Sequence, residues 1–275
     1  MSVDNELKLT QHEFRKLTAY FYNQTGILLK DHKKYLVEHR LGRIIGNKKW
    51  NFKSYDDFYQ KLVTDKAGEL KALLIQALTT NWTFFFRDDI QFNFVADYLK
   101  ANYDKEDYLR LWSAGCATGE EAYSLSIVAL ETIPRINQLD FRILATDISL
   151  PVLQTAMTAK YHYTKIKGNI PDKILKKYFI FDKIKKDFIL KNEVKSMVYF
   201  RYLNLMDNFP FQKKYDLVFI RNVLIYFGKK EKEHILNKIY NILKDKGFLF
   251  LGLSESLVDV SHQFKLVKNS IYAKQ

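Results

Sequence analysis

From residue 9 to about 78 the apolar positions recur at three- and four-residue spacing, with few glycines and no proline before Pro134. That rhythm predicts a small helical bundle. Within it Val37, Leu41, Ile44 and Ile45 share one stripe, and Lys33, Arg40 and Arg43 gather on the flank beside it when residues are wound at about 100° each. After Thr79 short apolar runs alternate with helical stretches, the pattern of an α/β domain. The runs at 108–112, 141–145, 197–202, 215–220 and 247–253 are nearly continuous, as in strands buried on both faces of a parallel sheet. Their order predicts a Rossmann-like doubly wound sheet. Residues from about 161 to 196 break the rhythm, because the runs 178–181 and 187–190 are separated by a lysine-rich 183–186. That stretch is expected to form a small antiparallel β-insert. The expected domains are therefore 1–78, helical, and 79–275, α/β with the insert.

Composition narrows the function classes. The 275 residues are 47% hydrophobic, with 21 Phe, 18 Tyr and 3 Trp, enough apolar surface to build a core rather than a disordered chain. One cysteine forbids an intrachain disulfide, and the six histidines show no paired metal-ligand spacing, so no metal site is expected. Met1-Ser2-Val3-Asp4-Asn5-Glu6 does not resemble the start of a secretion signal, and no apolar run is long enough to span a bilayer. A soluble, cytoplasmic protein without membrane insertion is expected. The formal charge of +13 favours anionic partners without choosing among nucleic acid, anionic lipid and acidic protein. Residues 30–53 carry eight basic and two acidic residues, which reads either as a solvated face or as a docking surface for an acidic helix.

The candidate chemistry centres on the first strand of the α/β domain. It runs into Ser113-Ala114-Gly115-Cys116-Ala117-Thr118-Gly119, a helix begins at Glu120-Glu121, and the next strand ends in Thr146-Asp147. Glycines there admit close approach to the backbone, and an aspartate at the second strand tip can take both hydroxyls of a ribose. Neither the Walker pattern nor GxGxxG is present, and two glutamates after the loop would repel a pyrophosphate. They suit a nucleoside that carries positive charge and no phosphate, such as S-adenosylmethionine. Ligands of such sheets bind beyond the carboxyl ends of the strands, where three further segments gather polar groups: residues 81–88, Asn204-Leu205 and residues 221–227. Each also has a plain reading, with Phe84 to Phe86 as core packing, Arg221 as a salt-bridge partner and Tyr226 as a half-buried aromatic.

In order and spacing, several strings resemble the CheR family, the chemotaxis receptor methyltransferases. They are Asn81-x-Thr83-x-Phe85-Phe86-Arg87, residues 112–121 followed by x-Tyr123-Ser124, Ala145-Thr146-Asp147-Ile148, Asn204-Leu205, Arg221-Asn222-Val223-Leu224-Ile225-Tyr226-Phe227 and Gly252-Leu253-Ser254-Glu255-Ser256. Thr25-Gly26-Ile27 through Arg40-Leu41-Gly42-Arg43 matches its N-terminal part, and the resemblance spans roughly Phe14 to Leu257. It implies a class I S-adenosylmethionine-dependent methyltransferase fold and methyl transfer to glutamate carboxylates on cytoplasmic helices of chemoreceptors, leaving glutamyl methyl esters and S-adenosylhomocysteine. It implies cofactor contacts at Asn81, Thr83, Arg87, Gly115, Glu121, Asp147, Asn204, Leu205, Asn222 and Val223. The active-site groups it implies are Arg87, Arg221 and Tyr226.

An ionised carboxylate needs no general base to attack a sulfonium methyl. The lack of a candidate catalytic His or Cys is therefore no objection, and Cys116 reads as a packing residue. Tyr226 is expected nearest the attacking oxygen, with at least one arginine serving the cofactor carboxylate. Lys33, Arg40 and Arg43 have the sign needed to steer an acidic receptor helix. The insert hairpin, residues 182–187, is short, lysine-rich and without glycine, unlike the longer glycine-containing loop of members that bind a receptor tether, so tether-independent recognition by a monomer is expected. Two departures are small: Ile220 stands where Cys is frequent, and Phe84 fills a variable place. A nucleic-acid methyltransferase is disfavoured because no Asn/Asp-Pro-Pro-Tyr/Phe motif occurs. A non-catalytic adaptor is disfavoured by Arg87, Arg221 and Tyr226 together. A carboxyl methyltransferase with a signalling client outside chemotaxis is the remaining alternative.

Overall fold

A computed structural model describes residues 8–166, 168 and 170–275. The N-terminal string read for a secretion signal, and Lys167 and Asn169 of the insert, lie outside the described residues. The fold separates into two units: one ends at Thr80 and also takes in Tyr226–Gly228, and the other comprises Asn81–Ile225 and Lys229–Gln275.

In the helical unit α1 (Gln11–Thr25) starts at a reciprocal cap, Thr10 with Glu13, and stops at Gly26 with φ 72°, the left-handed conformation that glycine adopts without steric cost. It buries Phe14, Leu17, Phe21 and Thr25, one helical stripe. α2 (Lys34–Ile45) buries Val37, Leu41 and Ile45, with Ile44 half-buried at the edge of that stripe. α3 (Tyr55–Val63), capped by Ser54, contributes Tyr55, Phe58 and Leu62, and α4 (Glu69–Leu78) contributes Leu74, Ile75 and Leu78. Arg40 donates to the carbonyls of Ala77 and Thr79 at 3.2 and 2.9 Å, satisfying acceptors that the end of α4 leaves open. The segment Tyr226–Gly228 joins this unit through an antiparallel bridge between Ile27 and Phe227 and a bond from Leu28 N to the Tyr226 carbonyl at 2.9 Å.

The second unit begins with α5 (Asp89–Asn102), β1 (Tyr108–Ala114), α6 (Glu120–Thr132), β2 (Asp140–Asp147) and α7 (Leu150–Thr158). The insert follows as β3 (Lys160–His162), α8 (Tyr163–Ile166), α9 (Asp172–Tyr178), β4 (Phe179–Asp182), β5 (Asp187–Leu190) and α10 (Asn192–Lys195). Next come β6 (Val198–Tyr202), β7 (Tyr215–Phe219), α11 (Lys229–Ile242), β8 (Leu243–Phe250), β9 (Phe264–Lys268) and β10 (Ile271–Lys274). The main sheet has the order β6-β2-β1-β7-β8-β10-β9, and β3-β5-β4 form the separate antiparallel sheet. Five neighbouring strands run parallel, and β10 pairs antiparallel with β8 and β9. β1 and β7 are almost wholly buried, which is why their sequences read as nearly continuous apolar runs, broken by the buried Arg110 and Ser113 in β1 and Asp216 in β7. Phe219 and Phe250 stack at 4.2 Å between neighbouring strands.

Strand order reverses between β1 and β7, since the chain moves outward through β2 and β6 before returning. The crevice at their carboxyl ends is where a doubly wound sheet receives ligands. The last parallel strand differs from its expected limits of 247–253: it starts at Leu243 and stops at Phe250, because the backbone at Gly252 turns to bond the Glu255 carboxylate. The β9–β10 hairpin escapes a search for continuous apolar runs because lysines alternate along it. Its mark in the sequence is Asn269-Ser270, both at positive φ, as a tight hairpin turn requires.

Gly119, at φ +91°, begins α6, and a Cβ there would lie 2.9 Å from the Ala156 Cβ and 3.2 Å from Phe200. Gly119→Ala is expected to cost about 1–3 kcal/mol through overpacking and the unfavourable φ, read as a lower urea midpoint with an unchanged slope.

Candidate active site

The β1–α6 loop is strapped to the tip of β2. Gly115 N and Cys116 N both bond the Thr146 carbonyl at 2.8 and 2.9 Å, and the Trp112 indole donates to the Thr146 hydroxyl at 2.9 Å. Ala117, at φ 48°, donates its N–H to Asp147 Oδ2, while Ser149 N donates to Oδ1, each at 2.9 Å. Asp147 is 7% exposed. Burial raises its carboxyl pKa, and the amides of Ser149, Ala117 and Ile148 oppose that shift. Its oxygens keep lone pairs beyond those two bonds, so the group that organises the loop is also able to accept from ribose hydroxyls.

The two glutamates after the loop diverge. Glu120, 1% exposed, accepts from the Thr118 hydroxyl and lies 3.6 Å from the Lys165 ammonium. Glu121 accepts from Ser113 Oγ at 2.6 Å and faces Arg221 at 3.1 Å. Cys116 is buried, and burial with the nearby charges of Asp147 and Glu121 pushes its thiol well up. It packs as expected, and a protonated thiol is a poor nucleophile.

Arg221 emerges from β7 with its side chain 2% exposed. Its guanidinium bonds Asp88 Oδ2, Glu121 Oε2 and the Arg87 carbonyl, and lies over the Phe92 ring at 5.8 Å. The plain reading of Arg221 as a salt-bridge partner is thus the one seen: its charge is matched by two carboxylates of its own chain. Arg87 differs. Phe86 and Asp88 on either side have φ 52° and 58°, uncommon for residues with a side chain, and Phe86 N is held by Ser124 Oγ at 3.0 Å. The Arg87 guanidinium lies over the Phe84 ring at 5.6 Å, and among the described residues it has no ion pair. A backbone fixed on both sides therefore presents a cation whose charge is not matched internally.

The segment after β7 is held by Glu255, 7% exposed. Its Oε2 accepts from Asn222 N and Gly252 N at 2.6 and 2.8 Å, and Oε1 from Ile225 N at 3.2 Å. Burial raises this carboxyl's pKa against those amides. Val223 occupies the space that Gly115 leaves, since a Cβ at Gly115 would come within 2.5 Å of Val223 Cγ2. The glycine expected to admit a ligand is therefore first the seat of a valine methyl. Asn222 Oδ1 and Arg221 Nε are buried without partners among the described residues. An orphaned buried acceptor at Asn222 fits a ligand that brings an N–H donor.

Asn204 and Leu205 are buried in the turn after β6, where Leu203 N bonds the Asp147 carbonyl at 3.1 Å. That places the turn beside the β2 tip. Asn81 and Thr83 are half-buried in the approach to Phe85. Tyr226 is half-buried in the segment that belongs to the helical unit. There, Arg43 is exposed and Lys33 half-buried, while Arg40 spends its guanidinium on the end of α4. Asp88 and Glu255 carried no role in the sequence reading. The signal for Glu255 was a lone acid just past the last parallel strand.

Sheet order, the acid-tipped second strand and the glycine loop define an S-adenosylmethionine-dependent methyltransferase of the Rossmann-like class. Residues 12–79 match the CheR methyltransferase all-alpha domain, and residues 81–273 the CheR methyltransferase SAM binding domain. A chemotaxis protein methyltransferase of Borreliella burgdorferi is 37% identical over 263 residues, covering 91% of this chain and 90% of that one. One from Vibrio parahaemolyticus is 34% identical over 266 residues, 95% of each. Chemotaxis protein methyltransferase Cher2 of Pseudomonas putida is 33% identical, covering 94% of this chain and 95% of its own. The chain belongs to the CheR family of methyltransferases, which use S-adenosylmethionine in chemotaxis. Among the described residues there is no cluster that could hold a metal and no helix long and apolar enough to cross a membrane.

Arg221→Met would strand two acids beside an apolar side chain and is expected to cost about 3–5 kcal/mol. Asp88→Asn, which keeps a polar partner, is expected to cost less. Urea unfolding of the two variants checks the order, which would be reversed if Asp88 rather than Arg221 held the three segments together.

Proposed function

We propose that this methyltransferase esterifies glutamate side chains on the cytoplasmic helices of chemoreceptors, acting in the cytoplasm as a monomer. The observation that carries the proposal is the contrast between the two arginines. Arg221 is neutralised by Asp88 and Glu121, whereas Arg87 is left to attract a carboxylate. An acceptor with a pKa of about 4.3 is ionised at neutral pH, and the site need not remove a proton from it.

The cofactor supplies a methyl group on a sulfonium centre, so the carboxylate oxygen gains the methyl while the carbon–sulfur electron pair stays on sulfur as a neutral thioether. What the chain must provide is alignment and a reduced water shell around the carboxylate. We assign Arg87 and the Tyr226 hydroxyl to orienting carboxylates and Arg221 to fixing Arg87 and Glu121 in place. We assign Asp147 to the ribose hydroxyls, and Glu121 with Asn222 to the positively charged end of the cofactor. Asn81, Thr83, Gly115, Asn204, Leu205 and Val223 complete the cofactor surface. Arg43 and Lys33 are the charges that draw in an acidic receptor helix, and the charge of Arg40 adds to their field while its hydrogen bonds serve α4.

The test is transfer of labelled methyl from S-adenosylmethionine to receptor cytoplasmic fragments. The label is expected to be base-labile, to sit on glutamates, and to fall about 100-fold or more in Arg87→Ala. Tyr226→Phe is expected to lower kcat more than it alters the cofactor KM. Labelling of nucleic acid, or of no receptor carboxylate, would overturn the substrate assignment.

Cofactor binding carries its own pH dependence. Asp147 must be ionised to accept from two hydroxyls, and burial raises its pKa above the ordinary value of 3.8. Affinity is therefore expected to weaken on acidification, beginning at a higher pH than for an exposed aspartate. Asp147→Asn should bind weakly and without that titration, as measured by calorimetry with S-adenosylhomocysteine.

A further inference from the structure

α11 carries a lysine that none of the preceding assignments uses. Lys238 directs its ammonium at two backbone carbonyls of the turn after β6, that of Leu205 at 2.6 Å and that of Asp207 at 2.7 Å. It also lies over the Phe209 ring at 4.4 Å. Phe209 and Phe211 stack at 5.4 Å, and each meets the Trp112 ring of β1 edge-on at 5.0 Å. Within the turn Asn204 closes on itself: its Oδ1 accepts from Met206 N, and its carbonyl accepts from Asp207 N, each at 3.0 Å. The turn is thus closed from within and bonded to α11 from outside.

The choice of lysine is informative. Among the described residues no carboxylate pairs with Lys238, and burial pulls its ammonium down to about 8 against the opposing charge of Asp207. A methionine would fill similar space without that penalty. What lysine adds is a set of donors that satisfies two carbonyls at once and so fixes how the turn is presented.

We propose that Lys238 is a positioning residue for the cofactor, latching the 204–207 turn so that Asn204 and Leu205 meet the nucleoside in one arrangement. This rests on the reading that Asn204 and Leu205 contact the cofactor. Because the latch acts on a part of the cofactor remote from the methyl group, its loss weakens ground state and transition state alike, raising KM with little change in kcat.

The experiment compares Lys238→Met, Lys238→Arg and Asn204→Ala in the full chain, with S-adenosylhomocysteine binding by calorimetry and methyl-transfer kinetics. Lys238→Met is expected to weaken binding and raise the cofactor KM about tenfold, with kcat within about twofold. Lys238→Arg, which keeps charge and donors, should recover most of the affinity. If Asn204→Ala weakens binding and Lys238→Met does not, the latch is wrong while the turn remains a cofactor contact. If Asn204→Ala leaves binding unchanged, the reading beneath the latch fails. A Lys238→Met protein with a lower melting temperature but unchanged affinity would show a lysine that only stabilises the fold, and would also overturn the proposal.

Discussion

A single buried cation sets the terms for the polar end of the sheet. Arg221 leaves β7 at the point where strand order reverses, and its guanidinium ties together the carbonyl of Arg87, the carboxylate of Asp88 and that of Glu121. Residues 87–88 and Glu121, distant in sequence, are both held to the end of β7 by one planar group, whose fixed fork suits several oxygen acceptors at once. Charges so withdrawn from water are costly unless matched, and the match here is internal. The buried arginine ties segments together, while its neighbour Arg87, on a backbone with positive φ on both flanks, has no ion pair among the described residues.

The same economy appears on the other side of the crevice. Glu255 accepts from backbone amides on two segments, shaping the peptide from Asn222 to Ile225 much as a bound anion would. Val223 then fits against Gly115, so the glycine loop and the segment after β7 are complementary before any ligand is considered. Preorganisation of this kind lowers the ordering cost that binding would otherwise carry. Asp147 takes part in both tasks, since it fastens Ala117 and Ser149 and keeps acceptor capacity in reserve.

Much of this architecture was legible in the sequence because buried parallel strands are written as nearly continuous apolar runs and helices as period-3.6 stripes. The runs containing Trp112, Ile143 and Val218 located the central strands, and Gly115, Gly119 and Asp147 marked the strand tips. The β9–β10 hairpin was less visible, since Lys265, Lys268 and Lys274 interrupt its apolar residues and its signal lies in a two-residue turn. At the site, the family resemblance singled out Arg87 and Arg221 as candidates without distinguishing their environments. That distinction depends on Asp88 and Glu121 converging from separate segments, and no local pattern encodes such a meeting. The role of Glu255 was hidden for the same reason, because its partners are backbone amides that every residue except proline possesses.

The three residues Tyr226–Gly228 belong with the helical unit although the chain on both sides belongs with the sheet. Ile27 finds its bridge partner, Phe227, some two hundred positions downstream. The two halves are consequently interleaved along the polypeptide and are not beads on a string. A genetic exchange with its crossover at the junction after Thr80 would import a helical half without the residue its Ile27 bridges to, and the recipient's Phe227 would have to accept a foreign Ile27. Such halves are inherited most safely as a pair, so the lineage of the helical part should track that of its catalytic companion.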